Sequence, residues 1–205
     1  MVNKKIIVSA VVLFGLGASY STLMAGALEI VKEKCAACHG EDGNSKYGKV
    51  PNIAGFSKDA LSDMISEYKE GDRIGDKFKP DNGDETDMNA IVKDLSDADI
   101  EALVKYYSSQ PYKAHKQEAD AKLAKKGAKL HKRKCEKCHS DGGTNPEDDA
   151  SLLAGQPREY ITRAFEKLSN KEQPMPKKMK KKFKKLSDKQ KRELIEYYVS
   201  GGGVN

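Results

Sequence analysis

Tryptophan is absent from this chain, cysteine and histidine each occur only four times, and hydrophobic residues fill no more than 38% of its 205 positions. So thin an apolar supply argues against self-sufficient small cores. Domains of about 80 residues seldom bury enough surface to hold together without a disulfide, a metal or another staple. A second long apolar run is also missing. After residue 27 nothing approaches the roughly 20 apolar residues that a membrane helix needs, so the mature chain is expected to have no stable span. Met1 to about Ala27 reads as a secretory signal: Lys4 and Lys5 precede the apolar run Ile6 to Leu16, and Ala25-Gly26-Ala27 offers an A-x-A cleavage site. A retained anchor is the rival reading, but Gly15, Gly17, Ser19, Tyr20, Ser21 and Thr22 make a poor span.

What is present is concentrated. All the cysteines fall in two C-x-x-C-H strings, Cys35-Ala36-Ala37-Cys38-His39 and Cys135-Glu136-Lys137-Cys138-His139. This pattern reads as covalent c-type haem attachment at two sites, with one thiol adding to each vinyl group and the adjacent histidine falling under the iron as its proximal ligand. A redox-active C-x-x-C pair or half a zinc site would each leave the histidine unexplained twice. Two haem c groups would also supply the missing staple, so the unloaded chain is expected to fold poorly.

Self-similarity divides the mature 178 or so residues in two. Ile53-Ala54-Gly55 lies 100 residues before Leu153-Ala154-Gly155, the offset of the two haem strings, whereas Leu95-Ser96-Asp97 and Tyr106-Tyr107 lie 91 before Leu186-Ser187-Asp188 and Tyr197-Tyr198. The second copy therefore lacks nine residues, placed in the polar stretch Gly71 to Asp87, read as a surface loop of the first copy. The domains are residues 28–110 and 119–202, joined by a linker at 111–118. Each copy predicts a helix into the haem string (Leu28 to Lys34; Ala119 to Lys134), a middle helix (Lys58 to Glu70; Arg158 to Leu168) and a closing helix. The closing helices start on capping boxes, Ser96 with Asp99 and Ser187 with Gln190. Ile100, Leu103, Val104 and Tyr107, and likewise Leu194, Ile195 and Tyr198, recur at helical spacing as core stripes.

An iron that only exchanges electrons is best served by two strong axial ligands, and a thioether opposite histidine favours Fe(II). Met88 and Met179 each precede the Leu of the Leu-Ser-Asp landmark by seven residues, so they keep register across the repeat. Met175, in Pro174-Met175-Pro176, is a rival without a counterpart in the first copy. Core filler is the plain alternative for any of these methionines. Bis-histidine ligation would need His115 or His131, which read as solvent-facing.

Together these residues resemble the dihaem class I cytochromes c, namely cytochrome c4 and the cytochrome subunit of flavocytochrome c sulfide dehydrogenase. Pro51-Asn52-Ile53-Ala54-Gly55 with Met88 is similar to a cytochrome c4 half. Gly127-Ala128-Lys129-Leu130-His131, Leu153-Ala154-Gly155-Gln156 and Pro174-Met175-Pro176-Lys177-Lys178-Met179 are closer to the sulfide dehydrogenase subunit. The resemblance implies an all-α fold of two tandem class I cytochrome c domains, each wrapped around one haem, with the haems close together. It implies haem attachment in the periplasm, which agrees with the signal. It also implies that a carbonyl at Pro51, replaced by Ser151 in the second copy, accepts the proximal histidine's ring N–H.

Charge separates the halves. Residues 28–112 hold 11 Lys+Arg against 18 Asp+Glu, and residues 113–205 hold 24 against 13. The densest basic run, Lys177 to Lys185 around Met179, reads either as a solvated face or as a docking surface for an acidic redox partner. Nucleic acid is a poor partner for an exported chain with an acidic half. A unit charge about 10 Å away at an effective dielectric of about 20 is worth roughly 1.7 kcal/mol before screening, so the second haem is expected to hold the higher potential. The expected function is one-electron transfer with no substrate bond made or broken. The alternatives are a haem subunit serving a flavoprotein and, least supported by the residues, a dihaem peroxidase.

Overall fold

The computed structural model describes residues 26–202, so the signal segment lies outside the described residues apart from Gly26 and Ala27. The chain enters as a helix at 26–30, passes through a π-helical turn, Val31–Cys35, and ends that element as α1, Ala36–His39. There follow α2 (Lys58–Glu70), α3 (Met88–Val92), α4 (Asp97–Ser108), α5 (Ala121–Lys134), α6 (Arg158–Asn170), α7 (Lys177–Phe183) and α8 (Asp188–Val199). The fold is all-α: the described residues contain no strand, only an isolated bridge between Phe78 and Thr86. None of their helices is long and apolar enough to cross a membrane.

The closing helices start where the capping residues place them. Ser96 accepts from the Asp99 N–H while the Asp99 carboxylate accepts from the Ser96 N–H, and Ser187 and Gln190 repeat the exchange. Two orphan donors are satisfied at each start. The stripes behind them, Ile100, Leu103, Val104 and Tyr107 in α4 and Leu194, Ile195 and Tyr198 in α8, are buried. Each copy has its own apolar cluster, one including Ala27, Val31, Leu103 and Tyr107 and the other Leu130, Ile161, Leu194 and Tyr198. Ala27 is fully buried, so cleavage after it would remove a residue that packs in the first core.

The two domains differ at the crossing of their first and last helices. A Cβ on Gly127 of α5 would lie 2.0 Å from the Glu193 carbonyl oxygen and 2.7 Å from Tyr197 Cβ of α8. The helices meet backbone to backbone there. The first copy has Ala27 at the matching position.

The nine-residue difference falls between the middle helix and the in-register methionine, from Glu70 to Met88 in one copy and from Asn170 to Met179 in the other. The expected surface loop is a bridge to the second domain. Asn89 holds its base, accepting from Gly75 N at 2.8 Å and donating to Tyr68 O at 2.6 Å and Arg73 O at 2.8 Å. Asp76 then takes a two-pronged contact from Arg163, both at 3.1 Å, and an ion pair from Lys167 at 2.9 Å. Lys167, only 7% exposed, also donates to Ile74 O at 2.7 Å.

Burial pulls the Asp76 carboxyl up, but hydrogen bonds from Arg163 and Lys167 outweigh it and hold its pKa below the ordinary carboxylate value. A depressed folded pKa means stability that is present above the ordinary range and lost as pH falls through the folded value. Asp76→Ala is therefore expected to cost about 1 kcal/mol at neutral pH, after allowance for solvent around the half-exposed carboxylate. The difference from the parent should close in acid. Urea unfolding at neutral and acid pH measures both.

The linker is a pinned strap rather than a free tether. Asn44 donates to Pro111 O and accepts from Lys113 N, Tyr112 Oη donates to Ala154 O, and His115 N donates to Gly155 O. It therefore fixes the Ala-Gly loop of the second domain against the first haem-string loop.

Candidate haem sites

Both C-x-x-C-H strings begin on the same backbone irregularity. Ala36 N–H donates to Val31 O in the first copy and Glu136 N–H to His131 O in the second, each spanning five residues. Such π-type turns cluster at functional sites. Here each widens the helix immediately around the first cysteine. No disulfide joins the four cysteines. Burial pushes the Cys35 thiol up to about 11 and raises Cys38 and Cys135 as well. Redox-active C-x-x-C pairs work through a depressed pKa, so these strings lack the electrostatics of a thiol oxidoreductase. Among the described residues no three His, Cys, Asp or Glu side chains converge as a zinc site requires.

His39 is buried, and its Nδ1 donates to Pro51 O at 3.0 Å. Donation through Nδ1 leaves the ring's lone pair on Nε2, the tautomer that a metal ligand needs. Burial depresses its pKa against the opposing effect of the Pro51 carbonyl, so the ring is kept neutral as ligation demands. His139 is also held down, by burial first and the nearby His131 second. Its Nδ1 is buried and completes no hydrogen bond, although the Ser151 backbone is near enough to act on it. The Ser151 backbone thus takes the place of Pro51 beside the ring, at a poorer geometry than the His39 contact.

The Ala-Gly landmark explains itself in the backbone. Gly43 O accepts from Ile53 N and Ala54 N at 2.8 and 3.1 Å, and Gly143 O from Leu153 N and Ala154 N at 2.9 and 3.2 Å. Gly55 N and Gly155 N then donate to the carbonyls of Tyr107 and Tyr198 at 2.9 and 2.7 Å. With φ of +68° and +77°, Gly55 and Gly155 occupy a region that disfavours other residues. In each copy this lattice carries the proximal loop from the haem string to the last helix.

Met88 opens α3, capped by the Asp87 side chain on Ala90 N, and packs half-buried on the first core. Met179 lies in the first turn of α7, and both it and Met175 pack half-buried on the second core. Met175 precedes the helix and lines a pocket of about 200 Å³ with Phe183, Lys180, Lys184 and Lys191, whose walls do not include Met179.

Two sets of residues have roles that sequence reasoning missed. Tyr107 and Tyr198, read as core stripe, turn their hydroxyls to Cys35 and Cys135, and burial raises the pKa of both phenols. His131, expected to face solvent, is 1% exposed. Its Nδ1 is 2.9 Å from Tyr198 Oη, and its Nε2 is 2.7 Å from a Glu136 carboxylate oxygen. The corresponding position of the first copy is Val31, fully buried. The stripe Ala124, Gly127, Leu130 and His131 would have placed it inside. His115 is half-buried in the strap.

The donor set fits covalent haem: cysteines at the right spacing, a neutral proximal imidazole with its Nδ1 bonded in the first copy, and an apolar wall holding a thioether in register in both copies. The comparisons agree with the geometry. Residues 25–110 match the family described as Cytochrome c, and residues 122–197 match Cytochrome C oxidase, cbb3-type, subunit III. Cytochrome c-554(548) of Halomonas halodenitrificans is 38% identical over 76 residues, covering 37% of this chain and 83% of that protein. Cytochrome c4 of Stutzerimonas stutzeri is 33% identical over 134 residues, 60% of this chain and 59% of the relative, so the match spans less than two thirds of that relative. The crystal structure of reduced recombinant cytochrome c4 from Pseudomonas stutzeri superposes with a TM-score of 0.68 at 27% identity, covering 86% of this chain and 96% of that one.

Proposed function

Because the chain belongs to the cytochrome c family and is built of two tandem cytochrome c domains, we propose that it is a periplasmic dihaem electron carrier. The observation that carries the proposal is the duplicated framework: haem string, Ala-Gly loop and last helix are bonded alike twice, and each copy sets a methionine in register on its core. Haem c, when bound, supplies an iron that takes up and releases one electron. Everything else falls to the protein. Cys35 and Cys38, and Cys135 and Cys138, are the covalent anchors. His39 with Met88, and His139 with Met179, would hold the irons and leave neither open to substrate. The apolar walls exclude water, so little has to reorganise when charge moves.

Purified protein should show a c-type absorption spectrum with two haems per chain that resist acid-acetone extraction, and should titrate as two one-electron centres. One haem per chain, or extractable haem, overturns the proposal.

Docking is assigned to the basic second domain. Lys182 Nζ donates to Lys134 O at 2.9 Å and ties α7 to the end of α5. Lys177, Lys178, Lys180, Lys181, Lys184 and Lys185 are exposed on and just after α7, as are Lys132, Arg133 and Lys137 in the sequence around the exposed Cys138. Such a face steers an acidic partner, and steering is screened by salt. Electron-transfer rates with an acidic acceptor protein should fall several-fold between about 10 mM and 500 mM salt, as steered association does. Rates indifferent to salt in stopped-flow measurements would remove the lysines from docking. A flavin subunit recovered in equal amount with the native protein would make that partner a flavoprotein.

A further inference from the structure

Between the domains, Gln156 and Asn52 are buried together, 0% and 1% exposed. Gln156 Oε1 accepts from the Asn52 N–H at 3.0 Å, and Gln156 Nε2 donates to Asn52 O at 2.8 Å and to Leu152 O at 3.3 Å. The Asn52 side chain is committed elsewhere, accepting from Ser45 N at 2.8 Å and donating to Lys113 O at 2.7 Å. What Gln156 grips is therefore main chain. The N–H it receives belongs to the Pro51–Asn52 peptide, and the carbonyl of that same peptide accepts from His39 Nδ1 at 3.0 Å. Imidazole, peptide and carboxamide form one continuous hydrogen-bonded chain from the first domain's proximal ligand into the second domain.

The arrangement is one-sided. By the repeat, Phe56 stands where Gln156 does and Leu152 where Asn52 does. That apolar pair is buried in one cluster. His139, correspondingly, has no completed Nδ1 hydrogen bond.

We propose that Gln156 is a positioning residue of the second domain that sets the potential of the first domain's iron through the Pro51–Asn52 peptide. The proposal rests on the dihaem reading above. Hydrogen bonds in a chain polarise one another. By accepting from Asn52 N–H, Gln156 makes the Pro51 carbonyl a stronger acceptor, and His39 becomes a more basic ligand that favours Fe(III). The first haem is thereby held at the lower potential by a bond, independently of the surface charges, and electrons are directed from the first domain to the second.

The test is a redox titration resolved by haem, with the first centre assigned through the His39 ring proton in the reduced protein's NMR spectrum. In Gln156→Met, which keeps volume and removes both polar atoms, the first midpoint should rise, the second should stay, and the His39 Nδ1–H resonance should move upfield. Gln156→Glu keeps the acceptor oxygen and should leave the first midpoint at or below that of the parent. Equal shifts of both centres, no shift in the Met variant, or the same rise in the Met and Glu variants would each overturn the proposal. A parent protein without two haems fails at its absorption spectrum, before any titration, and that result rejects the dihaem reading instead.

Discussion

Gly127→Ala is expected to strip the second domain of its haem while leaving the first domain folded and loaded. A glycine inside a helix is normally about 1 kcal/mol worse than alanine, so at an uncrowded position this substitution would stabilise α5. Here the added Cβ itself would sit 2.0 Å from the Glu193 carbonyl oxygen and 2.7 Å from the Glu193 carbonyl carbon. The obstacle is backbone, and no rotamer change relieves it. α5 and α8 must move apart along the crossing that aligns Cys135 with Tyr198 and buries Leu130 and Leu194. Overpacking of this kind costs on the order of 3 kcal/mol or more, a large share of what a small domain has. Intact mass of the purified chain should shift from two haems to one, with loss of helical signal matching α5 to α8. Lys126→Ala, on the exposed face next door, is the control and should keep both haems. A Gly127→Ala protein with two haems and unchanged thermal unfolding would show that the crossing relaxes freely.

The sequence states some of this architecture openly and conceals the rest for identifiable reasons. The starts of α4 and α8 were readable because a capping box needs only four consecutive residues, Ser96 to Asp99 and Ser187 to Gln190. The length difference between the copies was readable because the landmarks on either side keep their offsets. What that loop does was not, since the contact of Asp76 with Arg163 spans 87 residues and depends on how the domains sit together. Gln156 was hidden in the same way: it follows an Ala-Gly pair like any loop residue, and only the placement of Asn52 opposite reveals its grip. His131 was misjudged for another reason. A lone histidine near a haem string carries no burial signal of its own, whereas the helical stripe it shares with Ala124 and Gly127 faces α8. The two C-x-x-C-H strings stand out in the sequence because covalent haem attachment, the role proposed for them, demands that spacing.

The methionines are where sequence register and structure can be set against each other most sharply. Met179→Leu is expected to let carbon monoxide bind one haem per reduced chain, from none in the parent, and to lower that haem's potential. Leucine nearly conserves volume, so the α7 packing on Phe183 and Leu186 should survive at a cost below about 1.5 kcal/mol. On the proposed ligation, what disappears is a soft sulfur donor that would favour Fe(II) and leave no open place on the iron. Met88→Leu should do the same in the first domain, where Asp87 caps α3 independently of the thioether, and the double variant should bind two. Met175→Leu should bind none, because Met175 stands before the Pro176 cap of α7 and lines a pocket walled by Lys180, Lys184 and Lys191. Optical titration of each reduced variant with carbon monoxide counts the open irons directly. Binding in Met175→Leu and none in Met179→Leu would transfer the ligand role out of α7 into the loop ahead of it. The basic residues would still surround the ligand, because Met175 shares its pocket with Lys180, Lys184 and Lys191.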